Sequence, residues 1–231
     1  MGKIGVIGGI GPASSIEYYR LIIEGFQKKL QTRHYPEIII NSIDMTRMLN
    51  YVFNNQMDDL TSFLVREIKL LEGVGVDFVA MASNTPHIVF DEVQNRVQVP
   101  MVSIVKETIK QITARRLKKV LLLGTKFTMS AGFYQKEATI SGIQMVVPGE
   151  EKQQYIHDKY MGELVFNQIV PETKKELIGI VEEMHPEIGF EGIVLGGTEL
   201  PLILHQDDFK YLEVLDTTKI HVHGIVERSK L

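Results

Sequence analysis

Apolar and polar positions alternate along the chain in a regular order. Ile4-Gly5-Val6-Ile7 is a short apolar run that ends in Gly8 and Gly9. Pro12 then opens a segment in which Ile16, Tyr19, Ile22 or Ile23, Phe26 and Leu30 recur at helical spacing, with Lys28 and Lys29 in its last turn. This predicts strand, glycine turn, helix. Glu37 to Ile43 reads as a second buried strand, and Leu60, Phe63, Leu64, Ile68 and Leu71 form a helical stripe that stops at Gly73. Asp77 to Ala82 predicts a third strand, Val99 to Val102 a short fourth, and Ile104 to Leu117 a helix.

The pattern then restarts. Val120 to Leu123 runs into Gly124-Thr125, residues Ser130 to Ile140 predict a helix ending near Gly142, and Ile143 to Val147 a strand. Pro171 opens a helix with Leu177, Val181 and Met184 on one face, expected to stop before Pro186. Gly192 to Leu195 is a further strand and enters Gly196-Gly197-Thr198-Glu199. Continuously apolar strands alternating with helices indicate parallel sheet covered on both faces.

The restart is a repeat. Gly8 and Ser83 are 75 positions apart, Gly124 and Gly197 are 73, and the halves are offset by 116 and 114. The expected fold is α/β, with two pseudo-symmetric open parallel-sheet halves and the site in the cleft between them. Residues 1–113 with 215–231 make the first half and 114–214 the second. Ligands of open α/β sheets bind outside the carboxyl ends of the strands, where the four glycine and hydroxyl turns fall.

Composition narrows the function. The chain has 231 residues, 44% hydrophobic and 23% charged, which excludes disordered and collagen-like classes. A net charge of −4 without basic runs argues against nucleic acid as a partner. No apolar stretch reaches the roughly 18 residues of a membrane span. The run after Met1-Gly2-Lys3 is too short for a signal peptide, so a cytoplasmic location is expected. There is no cysteine, which removes disulfides, thiolate metal sites and thiol catalysis together.

Several segments carry candidate chemistry. Gly9-Ile10-Gly11-Pro12-Ala13-Ser14 is like a dinucleotide fingerprint but lacks the third glycine, and Asp44 lies 33 residues past Gly11. The turn is either an anion cradle or a tight turn only. Ser83-Asn84-Thr85-Pro86-His87 directly follows a strand. Its short polar side chains suit a carboxylate or amine, or alternatively a helix cap. Thr198-Glu199 holds the matching position in the second half. Thr125 and Thr128 open a helix, as caps or as anion-binding hydroxyls. His205 with Asp207 and Asp208, and His221 with His223, are weak metal patterns; alternation on a strand would put the last two on one face. No metal site is expected.

At these residues the sequence resembles the aspartate/glutamate racemase family. The resemblance rests on GVIGGIGPASSIEYY (5–19), SID (42–44), MASNTPH (81–87), LLLGTKFTMSAGFY (121–134) and IVLGGTELPLI (193–203), and extends over essentially the whole chain. It implies two α/β halves, a site between them, no cofactor and a homodimer. It also implies two opposed thiols at the substrate's α-carbon. Here those positions hold Ser83 (or Ala82, in the longer spacing) and Gly197.

The pocket positions Gly9, Gly11, Pro12, Asn84, Thr85, Thr125, Thr128 and Thr198 remain. The resemblance therefore implies a pyridoxal-phosphate-independent racemase or isomerase acting on an acidic amino acid or related dicarboxylate, with Asp44, His87 and Glu199 as possible substitutes for the thiols. An inactive homologue that binds an acidic metabolite is the alternative. A different reaction on the same scaffold, decarboxylation or hydrolysis, is a third.

Overall fold

The computed structural model describes residues 2–30 and 35–229; Met1, which heads the first run, lies outside them. Contacts divide the chain into two compact units, Met1–Ile104 with Thr218–Leu231, and Val105–Thr217. Residues 105–113 and 215–217 thus fall with the second unit.

In the first unit, β1 (Ile4–Gly8) leads into α1 (Pro12–Leu30), β2 (Ile38–Ser42), α2 (Met45–Phe53) and α3 (Met57–Gly73). Then come β3 (Phe78–Met81), α4 (Phe90–Gln94) and β4 (Met101–Val102), followed by α5 (Ile104–Ala114), which leaves for the second unit. All pairings are parallel and the strand order is β2-β1-β3-β4. Ile4 sits opposite both Ile38 and Phe78, so β1 is central. One face is closed by Tyr18, Ile22 and Phe26 of α1, against Val222, Ile225 and Val226 near the carboxyl end of the chain. A Cβ on Gly25 would lie 2.8 Å from Val226 Cγ2, so the glycine admits this close approach.

The second unit repeats the plan. β5 (Lys119–Gly124) is followed by α6 (Lys126–Ser130), α7 (Phe133–Ile140), β6 (Gln144–Val146) and α8 (Glu150–Gly162). Next come α9 (Pro171–Ile188), β7 (Gly192–Gly196), β8 (Glu213–Asp216) and α10 (Thr217–Arg228), which returns to the first unit. The order is β6-β5-β7-β8, again all parallel. Its core includes Leu121 and Leu123 of β5, Ile193 and Leu195 of β7, Ile156 and Tyr160 of α8, and Leu177 and Val181 of α9. In both sheets the connections reverse direction between the first and third strands of the unit. That reversal is the switch point at which open α/β sheets bind ligands.

Three expectations are corrected. The helix expected over Ser130–Ile140 starts only at Phe133, as α7: Ser130 is the last residue of α6, and Gly132 at φ +80° breaks the chain between the two. Helix α9 runs through Pro186 and ends at Gly189, whose φ is +68° and whose N–H donates to His185 O. The proline sits in the last turn, where its missing N–H costs one hydrogen bond and no further helix has to follow. His221 and His223 lie on α10, not on a strand, and two residues' separation on a helix points them apart: His221 is fully buried and His223 exposed.

Candidate active site

The first unit's switch point is the turn after β1. Gly9 and Gly11 take φ of +83° and +82°, a region in which only glycine is unstrained. A Cβ on Gly9 would stand 2.3 Å from Ile43 O. Ile43 N–H donates to Gly8 O at 2.9 Å, Gly9 N–H to Ser15 Oγ at 2.7 Å, and Gly11 N–H to Met45 Sδ at 3.3 Å. The turn is thus folded onto the β2–α2 connection and spends both glycine amides within the protein. Pro12, first residue of α1, has no N–H to offer. Asp44 is exposed and caps α2: its Oδ1 accepts from Thr46 N–H at 2.9 Å and Arg47 N–H at 3.2 Å.

β3 runs into Ser83, Asn84 and Thr85, all buried. His87 is buried two residues further on, and both its ring nitrogens are engaged. Nε2 accepts from Ile104 N–H at 3.2 Å, so Nδ1 carries the proton and donates to Ser83 O at 2.9 Å. The ring also stacks on Phe90, with centroids 5.3 Å apart. His87 pins the β3 turn to the start of α5, and that fixed tautomer leaves neither nitrogen open to take a substrate proton.

Near it, His221 is locked in the same manner: Nδ1 accepts from the Tyr18 hydroxyl at 2.8 Å and Nε2–H donates to Val102 O at 2.9 Å. Burial holds this imidazole neutral and lowers its pKa to about 4.

The second unit's switch point is built from two facing glycines. Gly124 and Gly196 are register partners; a Cβ on Gly124 would lie 2.9 Å from Gly196 O, and one on Gly196 2.6 Å from Leu122 Cδ1. Thr125 caps α6, accepting from Thr128 N–H at 3.2 Å, and the two hydroxyls lie 3.1 Å apart.

Gly197 follows β7. The space its side chain would occupy is filled by the ring of Tyr160 from α8, with Cε2 at 2.5 Å and the phenol oxygen at 3.1 Å from a Cβ built there. The Tyr160 hydroxyl donates to Glu199 Oε2, which also accepts from Thr198 Oγ1 at 2.8 Å. Glu199 is 3% exposed and Tyr160 6%. Burial first, and then the adjoining Glu199 charge, hold the phenol well above its usual pKa, so Tyr160 is a proton donor here.

The structure therefore unites Gly197, Thr198 and Glu199 around Tyr160, pairs Thr125 with Thr128, and joins Ser83 to His87. Tyr160 is absent from the sequence reading, because α8 is mostly polar and only Ile156 and Tyr160 of it are buried. Their four-residue spacing is the one local sign of a buried edge. His205, Asp207 and Asp208 lie at a short turn in which Asp208 accepts from His205 N–H and pairs with Lys174 at 2.8 Å. Among the described residues no group of three or more His, Asp and Glu is placed to hold a metal ion.

Known proteins resemble the chain in sequence and fold. The sequence model of the Asp/Glu/Hydantoin racemase family matches residues 7–225. The chain is 39% identical to an aspartate racemase homologue from Pyrococcus horikoshii OT3, over 98% of each chain, with a TM-score of 0.86. It is 32% identical over 146 residues to the broad specificity amino-acid racemase RacX of Bacillus subtilis (strain 168); that match spans 62% of this chain and 63% of RacX. The fold is also that of Picrophilus torridus aspartate racemase, at 24% identity and a TM-score of 0.77 over 98% of this chain and 94% of that one. With a family match over nearly its full length, the chain belongs to the Asp/Glu/Hydantoin racemase family, and does so without a single cysteine.

Proposed function

We propose that the chain is a pyridoxal-phosphate-independent racemase or isomerase acting at the α C–H of an acidic amino acid or related dicarboxylate. The observation that carries this reading is the buried Glu199 carboxylate at the end of β7, with the hydroxyls of Tyr160 and Thr198 on one of its oxygens. A thiol ionises near neutrality and suits the task of a base; serine and glycine at positions 83 and 197 do not. Glu199 is the one substitute among Asp44, His87 and Glu199 that is both buried and joined to a second proton-carrying group. Asn84, Thr85, Thr125, Thr128 and Thr198 supply hydroxyls and an amide for the substrate's charged ends. On the same reading the protein works in the cytoplasm as a homodimer and needs no cofactor.

A second reading rests on Tyr160 itself. Its ring fills the space at Gly197, and a protein that only binds an acidic metabolite would tolerate that filling. Proton NMR in D2O separates the two. Purified protein with chelator is incubated with L- and D-aspartate and glutamate, and the α-proton signal is followed. Loss of the signal supports the enzyme. Saturable binding with no loss, at protein concentrations near those of the substrate, would establish the binding protein instead.

A further inference from the structure

We propose that Tyr160 and Glu199 together form the proton-handling group of this chain, and that the chain's own side chains transfer the proton on one face of the substrate carbon, with solvent as the proton source on the other. The inference rests on the reading above, that the chain turns over an α C–H.

Three observations carry it. The pair stands at the carboxyl end of a central strand, at the switch point where a ligand of such a sheet is bound. The phenol oxygen lies 3.1 Å from where a side chain on Gly197 would begin, so it holds the place from which a residue of that turn would act. The two groups are joined directly: the Tyr160 hydroxyl donates to Glu199 Oε2, and Thr198 Oγ1 donates to the same oxygen. The matching turn of the first unit has no counterpart. Ser83, Asn84 and Thr85 bring no carboxylate, His87 has both nitrogens occupied, and Asp44 is an exposed helix cap.

The step balances within the pair. Glu199 carboxylate and Tyr160 hydroxyl begin with one proton and one negative charge between them. The substrate's α C–H bond breaks and its proton passes to the pair, which becomes neutral as carboxyl and phenol. The electron pair of that bond stays on the substrate, spread from the α-carbon into its carboxylate. The return step delivers a proton from the pair to the same face. In D2O the carboxyl and phenol protons of the pair exchange with solvent before the return, the substrate's proton leaves to solvent and a deuteron is delivered back, so the α-position exchanges with its configuration retained. Inversion then requires delivery from solvent on the opposite face and is the slower process.

The test follows α-proton loss in D2O and chiral composition together, for wild type and for Tyr160→Phe and Glu199→Gln, with the L- and D-forms of aspartate and glutamate. Thermal unfolding checks each variant's fold and calorimetry its substrate binding. Glu199→Gln keeps an acceptor for both hydroxyls but cannot take up a proton, so it remains informative if Tyr160→Phe fails to fold. We expect wild-type exchange to outpace inversion. We also expect exchange to fall about 10²-fold or more in a folded, binding-competent variant, the scale of a general acid–base group. Exchange that persists unchanged in both variants, or inversion as fast as exchange, overturns this inference and leaves the proposed function standing. Substrate binding without exchange by the wild type overturns both.

Discussion

The ring of Tyr160 stands 2.5 Å from the point where a Cβ on Gly197 would lie. Real contacts are not that short, and the ring has little freedom to yield, because its hydroxyl is held by Glu199 and its body lies in the core with Ile156 and Leu195. Gly197→Ala should therefore overpack the site and destabilise the protein by about 1–3 kcal/mol, with Gly197→Cys at least as costly. For a chain of this size that lowers the melting temperature by roughly 2–4 °C per kcal/mol. In the background Tyr160→Leu the same substitution should cost less, because the two residues share one space. Thermal unfolding of the four proteins in this cycle measures the coupling. Strict additivity would show that the two positions do not compete.

That competition also marks where the sequence stops being informative. The turn at Gly8-Gly9-Ile10-Gly11-Pro12 is legible because glycines that must take positive φ, and a proline that opens a helix, are local demands on local residues. The duplication is legible because both sheets repeat the same strand order, so the same turns recur at the same spacing. Pro186 misleads because the rule against proline in helices weakens in a last turn already closed by Gly189. His221 and His223 mislead because Ile-His-Val-His alternates like a strand, while packing on α1 decides for helix. Tyr160 is invisible for a different reason. Its four-residue spacing from Ile156 marks only a buried edge of α8, while the glycine whose missing side chain leaves room for its ring stands 37 positions away at Gly197.

His87 is placed as a structural pin, and that role has a measurable cost. His87→Phe keeps a ring to stack on Phe90 but leaves Ser83 O and Ile104 N–H without the partners they have now. A buried polar group left unpaired costs about 1–3 kcal/mol, so the variant should lose roughly 2–4 kcal/mol of stability. His87→Gln offers one donor and one acceptor on a flexible stem and should recover part of the loss. Chemical denaturation of the three proteins at one pH settles the order. A His87→Phe variant as stable as the parent would show that these two hydrogen bonds do not hold the β3 turn to α5.

His221 should make the protein acid-sensitive in a window of its own. Its imidazole is fully buried among Tyr18, Val102 and the ring of His87, whose centroid is 6.0 Å away. Folding lowers its pKa from 6.5 to about 4. Below pH 6.5 the unfolded chain binds a proton here that the folded chain refuses, so stability is intact above 6.5 and falls as the pH drops toward 4. At about 1.4 kcal/mol per pH unit the loss from this group approaches roughly 3 kcal/mol. Carboxylates titrate in part of the same range, so the comparison is with His221→Gln. That variant should be less stable than the parent at pH 7 and lose less stability between pH 6.5 and 4. Denaturation midpoints across that range test this directly. Parallel slopes for the two proteins would mean that the buried imidazole takes up its proton in the folded state as readily as in the unfolded one.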